Sequence, residues 1–183
     1  LSTNDVLRLL KWIRYRVNQE MPLFLLGSFC LFLAIAIFYT PIPALLKDSG
    51  LTDSLILFLT SIPGITSILL YNKLASVSST DLLIKSILAR TLIFIMFPIT
   101  YLLIQIGVIT PIQSVFIFGI LYVMIGATWA VINISTNNIV AEISIKGYGG
   151  SSYGYFNSMI GLANVIGSYI GGWIADTFGY FET

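Results

Sequence analysis

Five runs of apolar residues, roughly 22–46, 52–75, 81–106, 112–141 and 152–176, alternate with short polar segments. Each reaches or exceeds the about 20 residues a helix needs to cross a bilayer at about 1.5 Å rise per residue. The segment before them, residues 1–20, is patterned differently. Val6, Leu10, Ile13 and Val17 follow helical spacing, while Arg8, Lys11, Arg14 and Arg16 fill much of the remainder. This predicts an amphipathic helix over 3–20, capped by Thr3 or Asn4. It would lie on the cytoplasmic membrane surface with Trp12 and Tyr15 at headgroup depth. The alternative is an ordinary solvated, positive flank of the first span. The connections are short: a turn at Lys47–Gly50, a loop Ser-Val-Ser-Ser-Thr at 76–80, a tight uncharged link Gly107–Pro111, and a glycine-bearing loop with Lys146 at 142–150.

The fifth run carries a regular series of small residues, Gly154, Gly161, Gly167, Gly171 and Ala175. Gly167-x-x-x-Gly171 and Gly171-x-x-x-Ala175 lay a smooth strip along one helix face. Other backbones can approach such a strip closely in lipid. Gly161, Gly167, Gly171 and Ala175 are therefore the expected helix-packing positions. Asn157 and Asn164 lie on the adjoining face, two turns apart. An amide in hydrocarbon is costly unless paired, so partner helices are expected around this span.

Composition fits this pattern. The chain is 57% hydrophobic and 9% charged, with a mean hydropathy of +0.93. A soluble domain averages about a quarter charged residues. These values imply an all-α polytopic membrane protein, and 183 residues leave room for five or six spans. The net charge of +1 suggests no nucleic-acid role. The single cysteine, Cys30, sits in an apolar run and there is no histidine. Nothing resembles a disulfide framework, a metal site or a cofactor site. The first run is too long for a signal h-region and lacks a small-residue cleavage site, so it reads as a span. Eight of the nine Lys and Arg residues fall before span one, between two and three, or between four and five; only Lys47 falls on the other side. The positive-inside rule then puts the N-terminus in the cytoplasm and residue 183 outside, in the cell membrane. A sixth helix is expected beyond the fifth.

Several spans carry polar groups. Phe-Tyr-Thr-Pro-Ile-Pro at 38–43 interrupts span one, either as a packing kink or as a break that turns Tyr39 and Thr40 toward a pore. Thr60, Ser61, Thr66 and Ser67, with Pro63 and Gly64, make the middle of span two polar and pliable, although such hydroxyls can bond back to their own helix. Arg90 lies two to three turns inside span three, where it is expected to snorkel to the near interface or pair with a carboxylate there. No ionisable residue is expected at a span centre. In span four, Trp129, Asn133, Thr136/Asn137 and Val140 share a face. The amides either pair with those of span five as interhelical glue or line a polar cavity. Gly150-Ser-Ser-Tyr-Gly154 matches the five-letter G-x-S-x-G pattern of serine hydrolases, but no histidine supplies a base and Lys146 reads as a solvated loop residue. An enzyme is not expected.

The order of these features resembles the C-terminal half of a major facilitator superfamily transporter. An amphipathic linker leads into helix seven, then a serine- and threonine-rich helix eight, a short loop, helix nine and a one-sided polar helix ten. Helix eleven closes on Gly167-Ser-Tyr-Ile-Gly171-Gly172-Trp-Ile-Ala-Asp176-Thr-Phe-Gly179-Tyr180. This is similar to the family's glycine-rich close followed by Ala-Asp-x-x-Gly-aromatic. Two features depart from the family. Tyr71-Asn-Lys73-Leu74-Ala-Ser-Val-Ser-Ser-Thr stands where the family has Gly-x-Leu-x-Asp-Arg-x-Gly-Arg, and Ser168 stands where its exchangers have proline. Because the family's halves are repeats, an N-terminal half stays open.

The resemblance implies a membrane half-domain over 21–183 that works with a six-helix N-terminal half and a twelfth helix. A small solute would bind near the midplane while the halves rock around it. Tyr39, Thr40, Trp129, Asn133 and Asn137 would face the cavity, flanked by Ser67, Asn157 and Asn164. Neutral hydrogen bonding and aromatic stacking suit an uncharged or amphipathic solute, moved by secondary active or facilitative transport. The rival reading is a non-transporting scaffold or assembly subunit that binds partners through the glycine-rich fifth span.

Overall fold

The computed structural model describes residues 3–74, 80–144 and 149–178, with side chains from residue 21 onward. The amphipathic face expected over 3–20, the loop at 76–79, Lys146 and the Gly179-Tyr180 close lie outside what is described. Six helices follow one another: α1 Thr3–Tyr39, α2 Ile42–Asp48, α3 Asp53–Leu74, α4 Thr80–Gln105, α5 Pro111–Ile143 and α6 Gly149–Phe178. No strand occurs among the described residues. Five stretches are long and apolar enough to span a membrane, the first covering Met21–Asp48. The chain is an all-helical integral membrane protein.

The N-terminal boundary differs from the expectation. The 3–20 segment and the start of span one are one unbroken helix that passes through Pro22. A proline removes one backbone donor and strains the preceding turn, but neighbouring residues can carry a helix across it. At 37 residues α1 is about 55 Å long, well beyond the about 30 Å of hydrocarbon, so part of it extends past the bilayer. The far end of span one breaks where expected, but into two helices. α1 stops at Tyr39, Pro41 and Pro43 follow, and α2 starts afresh at Ile42. The Thr40 hydroxyl donates to the Ala36 carbonyl at 2.9 Å, serving a carbonyl at the frayed end.

Local chemistry sets the other ends. Gly50 (φ +85°) and Gly107 (φ +76°) take the left-handed conformation that turns the chain after α2 and α4. α5 opens on a capping box: Thr110 Oγ1 accepts from the Gln113 N–H at 3.3 Å, and Gln113 Oε1 accepts from the Thr110 N–H at 2.9 Å, with Pro111 in the first turn. Lys47 and Asp53 form an ion pair of 3.2 Å across the α2–α3 turn, but both are largely exposed, so it adds little.

α5 is the hub. It lies against α3 and α4 along most of its length and touches α6 and α1, while α1 pairs mainly with α6. Between helices in lipid the hydrophobic effect offers no drive, so close packing and dispersion decide the contacts. Two sites achieve it by omitting a side chain. A Cβ on Gly126 would fall 2.6 Å from the Pro63 carbonyl oxygen, which shows how closely α5 rests on α3. On α6, a Cβ on Gly167 would fall 2.7 Å from the Leu33 carbonyl oxygen, and one on Gly171 2.9 Å from the Ile37 Cα, so this strip is filled by α1. Ala163 and Ala175 are buried on the same side. Gly161 differs from the expectation: it is exposed and has no neighbour within 4 Å, because Ala163, two residues on, takes the packing position. One core cluster joins α1–α5 around Leu46, Leu59, Phe97, Phe118 and Tyr122. A second joins Phe32, Ile132, Phe156 and Ala163 between α1, α5 and α6. Phe97 stacks on Phe118 at 5.6 Å and Phe38 on Phe94 at 4.1 Å. The outer surface, with Ile68, Leu69, Leu92, Phe116 and Val165 exposed, is apolar as lipid contact requires.

Candidate functional site

The close approach of α3 to α5 and of α6 to α1 leaves a cavity between the two pairs, about 470 Å³ in volume. Five helices contribute. α1 and the residue after it supply Ile35, Ala36, Tyr39 and Thr40. α3 supplies Pro63, Gly64 and Ser67, α4 supplies Arg90, α5 supplies Ile125 and Trp129, and α6 supplies Asn164 and Ser168. A volume in this range suits a small organic ligand. The hydroxyls are partly spoken for by their own helices: Ser67 donates to the Gly64 carbonyl at 2.9 Å and Thr40 to that of Ala36.

Of the residues expected from sequence to bind solute, the structure brings Tyr39, Thr40, Ser67, Trp129 and Asn164 together around this cavity. It does not bring Asn133, Asn137 or Asn157 there. Asn133 is half-buried and its Nδ2 donates to the Trp129 carbonyl at 3.2 Å, one turn back on its own helix. Asn137 contributes its main chain, whose carbonyl accepts from the Tyr153 hydroxyl at 2.9 Å and ties α5 to α6. Asn157 is exposed. All three are displaced toward the same end of the bundle. Asn157 precedes Asn164 by seven residues, about 10 Å along the axis, and the cavity does not reach that far. A shared helix face put these residues in register but said nothing of depth.

Arg90 is the residue the sequence reading placed wrongly. Arg90 lies ten residues, about 15 Å, from the start of α4. It is 3% exposed, and its guanidinium points inward. Nη2 donates to the Ile125 carbonyl at 3.4 Å, and the guanidinium carbon lies 5.1 Å from the Trp129 ring centre and 5.5 Å from that of Phe94. Nε and Nη1 are buried without a hydrogen-bond partner, and the Tyr39 phenol interacts electrostatically with the guanidinium. Among the described residues no Asp or Glu lines the cavity, and the nearest acid on its own helix, Asp81, is nine residues back. A cation is therefore buried inside span three, where the sequence placed it two to three turns from the start but not on which side of the helix. Ser168 and the Pro63-Gly64 wall were also missed as cavity residues.

Behind Arg90, between α1 and α4, lies a second space of about 530 Å³, walled mainly by Leu31, Ala34, Phe38, Ile87, Phe94 and Pro98. Arg90 and Ile35 border both this groove and the first cavity. Gly150-Ser-Ser-Tyr-Gly154 lies inside α6, not on the strand-to-helix turn that makes a nucleophile elbow.

No protein-family model, curated protein or solved structure matches the chain.

Proposed function

We propose that the chain is one wall of a secondary active or facilitative transporter that carries a small solute by alternating access. The reading follows the resemblance to a major facilitator half. The observation that carries it is the cavity set among the membrane-spanning stretches, where Tyr39, Ser67, Arg90, Asn164 and Ser168 bring polar groups from four helices, with the Trp129 ring from a fifth, to one open space. Irregular or polar surface within a membrane is retained where it borders a water-filled or ligand-filled space. A second half-domain would close the pathway, and rocking of the halves would expose the cavity to each side in turn. The eight-to-one placement of Lys and Arg favours a cytoplasmic N-terminus in a cell membrane. The scaffold alternative draws less support, because the Gly167–Gly171 strip it would offer to a partner is already covered by α1.

The test is uptake by the full-length protein in proteoliposomes against a panel of radiolabelled solutes, with and without a pH gradient. Uptake of at least one solute above protein-free liposomes is expected. No uptake of any member, together with a full reading frame of only five spans, refutes transport.

A further inference from the structure

A buried guanidinium with two nitrogens lacking a hydrogen-bond partner, on a residue that borders a cavity no described carboxylate lines, is an unbalanced charge in low dielectric. Such a group is retained where something of opposite sign comes to it. We propose that Arg90 is the anion anchor of the cavity and that the solute is a small amphipathic organic carboxylate. The proposal rests on the transport reading of the same cavity and, of the uncharged or amphipathic solute expected from sequence, keeps the amphipathic one and gives it a negative charge.

Three features narrow the class. First, among the described residues Arg90 is the only Lys or Arg lining the cavity, so a monoanion cancels its charge whereas a phosphate dianion leaves one negative charge uncompensated in low dielectric. Second, the guanidinium is a planar fork, and a carboxylate meets two N–H groups on one edge, an unpartnered Nε or Nη1 together with the second hydrogen of Nη2; the Nη2–Ile125 contact and the Trp129 ring hold the plane in place. Third, a 470 Å³ space is far larger than a halide, and Ile35, Pro63, Ile125 and the Trp129 ring offer an apolar bed for an organic body. Asn164 and Ser168 on the facing helix suit a polar substituent at the other end.

The experiment uses full-length protein in detergent. Thermal unfolding and equilibrium binding are measured with benzoate, 4-phenylbutyrate and indole-3-acetate, each against its neutral amide, and with sodium chloride alone. At least one carboxylate is expected to bind about ten- to hundredfold more tightly than its amide, the size of a charge-assisted hydrogen bond to a buried group. Arg90→Gln should remove that preference, and Arg90→Lys should keep part of it. If every carboxylate and its amide bind alike, if chloride reproduces the effect, or if Arg90→Gln keeps the preference, the anion anchor is wrong. The wild-type comparison decides even where the variant does not fold. Carboxylate binding without uptake in proteoliposomes, together with a full reading frame of only five spans, supports the anchor and sinks transport. Uptake of neutral solutes that Arg90→Gln leaves unchanged does the reverse.

Discussion

Replacing Gly126 by alanine adds one methyl group at the tightest point between α5 and α3. The new Cβ would sit 2.6 Å from the Pro63 carbonyl oxygen, 2.7 Å from the Thr66 Cβ and 2.8 Å from the Pro63 Cα. Two of these three atoms belong to the backbone, so no rotamer change relieves the clash. Carbon atoms settle at about 3.5–4.0 Å, so α3 has to retreat by roughly 0.7–1 Å over that turn. Overpacking of this kind costs about 1–3 kcal/mol. Alanine also removes glycine's helix penalty, a gain of about 0.5–1 kcal/mol. Gly161→Ala on α6 isolates that gain, because Gly161 is helical and has no neighbour within 4 Å. The gap between the two variants is then the steric cost alone, about 1–3 kcal/mol, or roughly five- to 150-fold in the unfolding equilibrium. Reversible unfolding of the full-length variants in mixed micelles, followed by tryptophan fluorescence, measures it. Gly161→Ala should match or exceed wild type, and Gly126→Ala should fall below both. Because Pro63 and Gly64 line the cavity, Gly126→Ala should also weaken solute binding. If the two variants agree within about 0.5 kcal/mol, α3 and α5 are not in backbone contact and the account of the cavity wall fails.

Three further outcomes are expected. Thr110→Val removes the hydroxyl of the α5 capping box and should destabilise by about 0.5–2 kcal/mol, with faster hydrogen exchange confined to the first turn after Pro111; uniform loss across α5 would contradict a local cap. Asn133→Leu breaks a bond to its own helix outside the cavity, so solute affinity should change less than about twofold, whereas Trp129→Ala, which strips a cavity wall, should cost about tenfold or more. In a Cys30→Ala background, cysteine at Asn164 should react with a charged, water-soluble thiosulfonate, while cysteine at the outward-facing neighbour Val165 should not; equal labelling would mean that the cavity is not wet.

The hydropathy of the chain determined the five spans, their approximate ends and the all-helical class, because crossing a bilayer demands about 20 apolar residues in an intrinsically satisfied backbone. It also marked the break after Tyr39 and the small-residue strip at Gly167 and Gly171. Each of these signals is local and can be read along one dimension. Which faces meet could not be read that way. In a soluble protein a helix announces its inner face by being polar on the other, but here both lipid and interior are apolar, so Leu92 facing out and Ile93 facing in look alike in sequence. Tertiary structure therefore decided that Ala163 rather than Gly161 packs, that Asn164 reaches the cavity while Asn157 does not, and that Arg90 turns inward. The last could emerge only in three dimensions, since the cost of a buried charge depends on what surrounds it, and much of what surrounds Arg90, such as Ile125 and Trp129, comes from other helices.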